Sequence, residues 1–221
     1  MNYRGRFAPS PTGPLHFGSL VTALASFLEA RSQGGQWFIR LEDLDPLREP
    51  PEATGQILAS LDAHGLFPDE PVRFQSRRHD AYQDAIDRLL ESRHAYRCQC
   101  SRKELQANAG RHPNQCRSRT ALNGDRPYAI RFALEDEDCH WQDLLLGPQH
   151  QIVKAELDDP VILRKEGFYA YQLAVVVDDM DQGITDVVAN RLTPALADTA
   201  DQLANFLGGN RAGFEQNYEN L

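Results

Sequence analysis

The fold of this chain is decided by the segment from Tyr3 to Ser19, which reads YRGRFAPSPTGPLHFGS. Residues 3–8 predict a short strand that Pro9 interrupts, and residues 9–14 predict a stiff loop, because proline suits neither a helix interior nor a central strand. From His16 onward, apolar residues recur at helical spacing until the glycines at 34 and 35, namely Leu20, Ala23, Leu24, Phe27 and Leu28. The segment therefore predicts a strand, a tight loop and a helix in succession.

The residues that follow repeat this alternation of strands and helices. Residues 36–42 predict a second strand that ends at Glu42, and residues 52–64 and 79–91 predict amphipathic helices. A strand, a helix and another strand in sequence favour a right-handed crossover between parallel strands. We therefore predict an α/β fold with a Rossmann-type, doubly wound parallel sheet. The valine-rich run at 173–177 fits either a buried strand or part of a buried helix.

Periodicity fades between residues 96 and 127, where cysteine, arginine, asparagine and glycine dominate. We expect a small inserted subdomain at these positions. The insert would divide the Rossmann-type domain into a first half at 1–95 and a second half at 128–221.

The composition is that of an ordinary globular protein, with 221 residues of which 41% are hydrophobic and 25% are charged. No apolar run approaches the roughly 20 residues that span a bilayer, and no signal-peptide pattern opens the sequence. We therefore expect a cytoplasmic protein without a membrane partner, and we take it to be a monomer. A net charge of −9 argues against a uniformly basic nucleic-acid surface. It still allows a local basic patch, because arginines crowd the chain between residues 77 and 119.

The residues from His16 to Ser19 begin the first predicted helix directly after a strand and a loop. In an open α/β sheet, ligands bind beyond the carboxyl ends of the strands, where a helix N-terminus offers unpaired N–H groups. Gly18 would let a nucleotide approach the backbone, and His16 would donate a hydrogen bond to phosphate oxygens during attack on an α-phosphate. The arrangement suits adenylate chemistry; a histidine that only caps the helix is the alternative interpretation.

The stretch from Gly5 to Ser19 resembles the first signature of the glutamyl- and glutaminyl-tRNA synthetase branch of the class I synthetases. Its ending is similar to the glutamyl-Q subgroup, because Ser19 stands where the usual motif has a second histidine. The resemblance implies catalytic roles for His16, Gly18 and Ser19. It also implies activation of glutamate with ATP and Mg²⁺ to glutamyl-adenylate, and transfer of glutamate to the queuosine base of tRNA(Asp). A catalytically inactive module that binds glutamate or tRNA is the alternative.

The same resemblance implies a glutamate pocket at the end of the second predicted strand. Glu42 would hold the α-ammonium group, and Tyr171 matches a tyrosine of the family that lines the pocket. Residues of the first segment would complete the contact with glutamate: Arg6, Phe7, Ala8, Pro9 and Ser10. Arg6 is suited to pair with a carboxylate through two hydrogen bonds.

The sequence departs from the family after about residue 188. The family expects Arg-Gly-Ala-Asp-Leu, whose arginine binds the side-chain carboxylate of the substrate, whereas residues 187–194 read VVANRLTP. Direct alignment puts Ala189 at the arginine position; a shift of two residues puts Arg191 there, and we favour Arg191. Arg164 is another available cation. The lysine-rich loop that stabilises the leaving pyrophosphate in this family has no match either, since no lysine follows Lys165.

The predicted insert contains a Cys-x-Cys pair, Cys98 and Cys100, followed by His112 and Cys116. Two close ligands and two that return from a loop are typical of a tetrahedral structural zinc site, although buried free cysteines are the alternative. The glutamyl-Q subgroup carries a similar site with tyrosine where His112 stands. A closed site of four ligands leaves no position for a substrate water, so its expected role is to fold the insert and present it to the tRNA acceptor end.

Overall fold

The computed structural model describes residues 2–108, 112, 116–118, 122, 124–135, 138–143, 147–152, 158–189, 202–208 and 218–220. In chain order the elements are β1 Arg4–Phe7, α1 Phe17–Ser32, β2 Gln36–Leu41, α2 Ala53–Ala63, β3 Arg73–Phe74, a 3-10 turn Gln75–Arg77, α3 His79–Glu91, β4 Ala95–Cys98, α4 Arg102–Ala107, β5 Ala129–Phe132, β6 Asp138–Asp143, β7 Gly147–Ile152, β8 Val161–Leu163, α5 Tyr171–Gln182, β9 Val187–Ala189 and β10 Tyr218–Asn220. Residues 202–207 are also helical. No helix within these ranges is long and apolar enough to cross a membrane.

The predicted strand, loop and helix form the first unit of a parallel sheet. β1 pairs in parallel with β2, and β2 pairs in parallel with β3, while α1 connects the first two strands. On its other edge β1 forms an isolated parallel bridge between Gly5 and Asp186, the residue that precedes β9. β2 is buried from Trp37 to Leu41, as expected of a central strand covered on both faces. The prediction of an α/β fold with a parallel, Rossmann-like sheet is confirmed.

The turn between α1 and β2 depends on Gly34 and Gly35, the two glycines at which the sequence predicts the end of the first helix. Gly34 has a φ of +62°, a left-handed conformation that other residues rarely adopt. A Cβ atom at Gly35 would lie only 2.4 Å from the carbonyl oxygen of Tyr3, because the chain passes directly against the start of β1. The backbone N–H of Gln36 then donates to that same oxygen at 2.9 Å, so β2 starts in register with β1.

The valine-rich run at 173–177 is helical and lies within α5. Every residue from Leu173 to Asp179 on this helix is buried. Its apolar side chains pack with α3, β5, β8 and residues 203–207 in one core cluster. A helix enclosed on all sides has no polar face to reveal its period, which is why the sequence pattern did not distinguish it from a strand.

A small antiparallel sheet flanks the predicted insert. β5 lies between β4 and β8, and the pairing of β4 with β5 brings residues 95–98 beside residues 129–132. The short helix α4 follows β4 and has no buried residue. A separate sheet has the strand order β7-β6-β10-β9.

Candidate active site and metal centre

The carboxyl ends of β1 and β2 open into a cleft of about 230 Å³. Its walls come from the loop after β1, the loop after β2 and the residues around the start of α5. Three of the predicted glutamate-binding residues line this cleft: Ser10, Glu42 and Tyr171. Ser10 and Tyr171 are 161 positions apart in the sequence. The structure therefore brings distant residues together at the edge of the sheet where α/β proteins bind ligands.

Glu42 follows β2 directly and is buried, with 7% of its surface exposed. Its backbone N–H donates to the carbonyl oxygen of Pro9 at 3.0 Å, which fixes the loop after β1 against the end of β2. Burial raises the pKa of Glu42 to about 7, although the charges of Arg40 and Arg6 act in the opposite direction. A buried carboxylate of this kind is a functional-site candidate, because a cation in the cleft would stabilise its charged form.

A buried ion-pair network joins β1, β2 and α5. Arg40 is fully buried, and its Nη1 donates to Asp179 Oδ1 at 2.5 Å and to Gln182 Oε1 at 3.0 Å. Arg6 donates from Nε and Nη2 to the two oxygens of Asp179 at 3.3 and 3.2 Å. Burial acts to raise the pKa of Asp179, but the charges of Arg40 and Arg6 outweigh it and lower that pKa. The predicted two-bond carboxylate partner of Arg6 is therefore a protein side chain in this structure.

Asp178 extends the network. The predictions from sequence included no role for Asp178, Asp179 or Arg40. Asp178 is fully buried and accepts hydrogen bonds from three side chains at 2.7–2.9 Å: Gln75, Arg78 and Tyr82. A signal was available in the sequence, because an arginine interrupts the apolar strand WFIRL and an acidic pair follows the apolar run AVVV. Charged residues inside buried elements are almost always paired.

The remaining predicted residues of the first loop have different surroundings. Phe7 is 7% exposed and packs in the core formed by β1, α1, β2 and α2, so its side chain lies away from the cleft. Ala8 and Pro9 are half-buried, and Pro9 meets Glu42 through its carbonyl group. Among the five predicted contacts of this segment, Ser10 is the one that lines the cleft.

His16 is the N-cap of α1. Its Nδ1 accepts a hydrogen bond from the backbone N–H of Ser19 at 3.1 Å, and its Nε2 lies 3.0 Å from Ser19 Oγ. The capping interpretation of His16 therefore describes its place in this structure. Capping leaves the phosphate role open, because the imidazole is exposed and the first N–H groups of the helix, at Phe17 and Gly18, have no partner within the helical ladder.

Two further residues of the cleft bear on substrate charge. Tyr171 begins α5 and is 41% exposed; the charge of Glu42, together with burial of the hydroxyl, raises its pKa. Arg164 lines the same cleft, and its Nη1 lies 3.5 Å from Asp45 Oδ2. Arg191, the predicted partner of the substrate side chain, lies outside the described residues.

The predicted metal ligands come together in the insert. Their four ligand atoms lie within 4.8 Å of one another: those of Cys98, Cys100, His112 and Cys116. Cys98 Sγ is 3.0 Å from His112 Nε2, and Cys100 Sγ is 3.3 Å from Cys116 Sγ. All three cysteines are free rather than in disulfides.

The chemistry of this donor set fits a thiophilic cation. Burial and the neighbouring thiols raise the pKa of Cys100 to about 12, and burial lowers the pKa of His112. The lowered pKa of His112 favours the neutral imidazole, which is the form that binds a metal, and a cation beside the Cys100 thiol would favour its thiolate. Three sulfurs and one imidazole nitrogen form an ordinary ligand set for structural Zn²⁺.

Comparison with known proteins gives a consistent result. The glutamyl-Q tRNA(Asp) synthetase of Chromobacterium violaceum is 47% identical over 220 residues, which cover 96% of this chain and 73% of that protein. The glutamyl-Q tRNA(Asp) synthetase of Shewanella amazonensis is 51% identical over 186 residues, covering 84% of this chain and 63% of that protein. This chain thus spans only part of the length of these relatives.

A solved structure and a family model agree with these relatives. The glutamate tRNA ligase of Elizabethkingia meningosepticum, in complex with its amino acid, superposes with a TM-score of 0.85 at 28% identity, covering 100% of this chain and 49% of that one. Residues 2–191 match the family model of class I tRNA synthetases (E and Q), catalytic domain. The chain therefore belongs to the family of class I tRNA synthetases (E and Q).

Proposed function

We propose that this protein activates glutamate with ATP and transfers it to the queuosine base of tRNA(Asp). The observation that carries the proposal is the cleft at the carboxyl ends of β1 and β2, where Ser10, Glu42 and Tyr171 meet. The names of the similar proteins support the same activity. They favour a ligase over the inactive binding module. The proposed reaction takes place in the cytoplasm, on a single chain.

In the first step, a carboxylate oxygen of glutamate attacks the α-phosphorus of ATP, and pyrophosphate leaves with the electron pair of the broken bond. Glu42 holds the α-ammonium group, because it is the buried carboxylate of the cleft. Ser10 and Tyr171 contribute hydroxyl groups that hydrogen-bond the bound amino acid. Arg6 acts with Arg40 to fix Asp179, and this ion-pair network keeps the ends of β1 and β2 in place.

The nucleotide lies at the start of α1. His16 donates a hydrogen bond to phosphate oxygens as charge develops on them, after its ring turns from Ser19 towards the nucleotide. Gly18 lets the phosphates approach the helix N-terminus, where the backbone N–H groups and the helix dipole favour negative charge. Mg²⁺ accompanies ATP as a co-substrate ion. In the second step, a nucleophile of the queuosine base attacks the carbonyl carbon of glutamyl-adenylate, and AMP leaves.

The insert binds one Zn²⁺ through Cys98, Cys100, His112 and Cys116. A zinc ion at this site would supply no step of the reaction, because four protein side chains would already be its ligands. The bound ion would tie Cys98 and Cys100 to His112 and Cys116, within the insert at 96–127 that separates the two proposed halves of the catalytic domain, 1–95 and 128–221. In this position the insert presents the tRNA to the cleft.

Glutamate-dependent exchange of pyrophosphate into ATP tests the first step. We expect exchange with the wild-type protein and a large loss with Glu42→Gln, which keeps the shape of the side chain and removes its charge. Glu49→Gln is the matched control, because Glu49 lines the same cleft and accepts a backbone hydrogen bond from Asp45 that glutamine can also accept. A folded protein without exchange would show that this chain does not form the adenylate.

The cation that binds the substrate side chain is tested by the same exchange reaction. Arg191 is the candidate from the family resemblance, and Arg164 is the candidate that lines the cleft. If one of these arginines binds the substrate side chain, replacing it by glutamine should raise the KM for glutamate. The same replacement should weaken discrimination against glutamine as a substrate. Leaving a buried carboxylate of glutamate unpaired costs about 2–5 kcal/mol. If neither variant changes the KM, the side-chain carboxylate is bound by another group.

Transfer is measured with labelled glutamate and two forms of tRNA(Asp). One form carries queuosine and the other is the same tRNA without that modification. We expect incorporation only into the modified tRNA. Equal incorporation into both forms would assign the product to a different position of the tRNA, while adenylate formation would stand.

A further inference from the structure

The two ring nitrogens of His112 have different surroundings. Nε2 faces the metal cluster, 3.0 Å from Cys98 Sγ and 3.6 Å from Cys100 Sγ. Nδ1 faces away from the cluster and lies 3.2 Å from the hydroxyl oxygen of Tyr96. His112 is 4% exposed and Tyr96 is 9% exposed, so water does not replace this contact readily.

The direction of the hydrogen bond between His112 and Tyr96 follows from the contact of Tyr96 with Asp159. The Tyr96 hydroxyl lies 2.5 Å from Asp159 Oδ2 and donates to it, since an ionised carboxylate only accepts. A tyrosine hydroxyl has a single proton, so its oxygen can only accept from His112. The proton of the imidazole is therefore on Nδ1, and the lone pair of Nε2 points at the three sulfurs.

Asp159 is held in place from several directions. It is 4% exposed, and Arg117 donates to both of its oxygens, with the Nε bond at 2.7 Å. The backbone N–H of Leu134 donates to Oδ1 at 3.1 Å. The adjacent Asp158 accepts the backbone N–H of His112 at 2.8 Å, so the ligand is fixed by its main chain as well as its ring.

We propose that Tyr96 and Asp159 are positioning residues for the metal site, which orient His112 and fix the tautomer in which Nε2 binds the cation. The inference rests on the metal site proposed above and extends it beyond the four ligands. Partners of this kind are expected around ligating histidines, since they set ring orientation and raise the basicity of the ligand. Here they also connect the insert to the second half of the fold, because Tyr96 lies at the start of the insert, on β4, and Asp159 precedes β8.

The experiment compares zinc affinity in three chains by competition with a chromophoric chelator. Tyr96→Phe keeps the ring and removes the hydroxyl, and we expect the dissociation constant for zinc to rise about 10–100-fold. Tyr82→Phe is the matched control, because Tyr82 is a buried tyrosine that donates to the buried Asp178 at 2.7 Å, outside the insert. Its zinc affinity should equal that of the wild type. Circular dichroism of the metal-free proteins establishes that each variant is folded.

A second comparison separates orientation of His112 from general support of the insert. In a His112→Ala background the imidazole is gone, so adding Tyr96→Phe should leave the remaining zinc affinity unchanged. If Tyr96→Phe weakens zinc equally in both backgrounds, Tyr96 supports the insert without orienting His112. Such a result would overturn the proposal.

Nitrogen NMR of the zinc-loaded wild-type protein gives a readout that needs no variant. Long-range proton–nitrogen spectra show which ring nitrogen carries a proton, and we expect a protonated Nδ1 and a metal-bound Nε2. Metal on Nδ1 would overturn the proposal. If the wild-type protein binds no zinc, the metal site itself is wrong; if it binds zinc and Tyr96→Phe binds equally well, only the orienting role is wrong.

Discussion

The ion-pair network beside the cleft and the predicted metal cluster of the insert both bury polar side chains, but these side chains find different partners. Both keep polar groups out of water, but the network contains cations and carboxylates that neutralise one another, as in Arg40 with Asp179 and Arg78 with Asp178. The insert brings together three thiols and an imidazole, which are all ligands and include no cation. The charged groups of the network therefore meet opposite charges within the chain, whereas the cluster would gain a cation only from outside.

The two regions also differ in the amount of apolar surface that is buried around them. The ion-pair network lies on elements whose side chains form two large cores. Among its described residues, the insert contributes one small cluster of three buried side chains, Tyr96, Cys98 and Cys116, and the two cysteines are predicted metal ligands. Because the described residues of the insert bury so little apolar surface, they gain little stability from the hydrophobic effect.

The largest expected effect is that of removing one metal ligand. At a zinc concentration that just saturates the wild-type protein, Cys98→Ser should bind far less than one ion per chain, because a tetrahedral site needs all four ligands for high affinity. The fold of the catalytic domain should persist, since its cores do not include the insert. Metal analysis and far-ultraviolet circular dichroism of the same sample measure both. Full zinc occupancy in Cys98→Ser would contradict the ligand assignment.

The next effect concerns the network. Arg40→Met should lower the free energy of unfolding by about 3–5 kcal/mol, because it leaves buried carboxylates without their cation. Urea denaturation measures the change. Arg48→Met is the control, because the Arg48 side chain is 75% exposed beside Asp45 and its removal should cost less than about 1 kcal/mol. Equal losses in the two variants would show that burial does not determine the strength of these pairs.

A smaller effect is the pH dependence of glutamate binding. Glu42 has a pKa raised to about 7, and its ionised form is the one that attracts the substrate ammonium. Affinity should therefore be constant above pH 7 and fall by about tenfold for each pH unit below it, as the carboxyl group becomes protonated. Calorimetric titration between about pH 5.5 and pH 8 measures this profile. Glu42→Gln should bind weakly with a flat profile in that window, and a flat profile in the wild type would refute the role of Glu42.

The smallest effect concerns the helix that follows the first two metal ligands. Ser101 forms a capping box with Glu104 at the start of α4. Ser101→Ala should cost about 1 kcal/mol, and this loss should weaken zinc binding about fivefold if ordering of the insert is coupled to the metal. Chelator competition measures it. Ser76→Ala is the control variant beside the cleft, because Ser76 forms hydrogen bonds with Asp43 there. This replacement should not alter zinc affinity.

Much of the fold was predictable from local sequence. The spacing of apolar residues along positions 3–42 changes from that of a strand to that of a helix and back, and this change predicted β1, α1 and β2. Proline and glycine residues marked the boundaries between these elements. The spacing of Cys98, Cys100, His112 and Cys116 predicted four groups that the structure places together. The zinc ion itself stays a prediction.

The rest depended on contacts between distant segments. The pairing of Arg6 and Arg40 with Asp179 joins residues 173 and 139 positions apart. No local pattern specifies such a pair, and only the juxtaposition of β1 and β2 with α5 creates it. The same holds for Tyr96 and Asp159, which meet His112 from different elements. Whether Arg191 binds the substrate also stays a prediction, since it lies outside the described residues.

Helix α4 has six residues, none of them buried, and isolated helices shorter than about 12–15 residues are marginal in water. Its N-cap follows Cys100 directly, so a metal ion bound by Cys100 would anchor one end of a helix that has no buried residue. When the ion leaves, the helix–coil balance of α4 should shift towards coil while the catalytic domain stays folded. Its amide hydrogens should then exchange with solvent almost as fast as those of a free peptide. Hydrogen exchange at this one helix would therefore report the zinc occupancy of the whole protein.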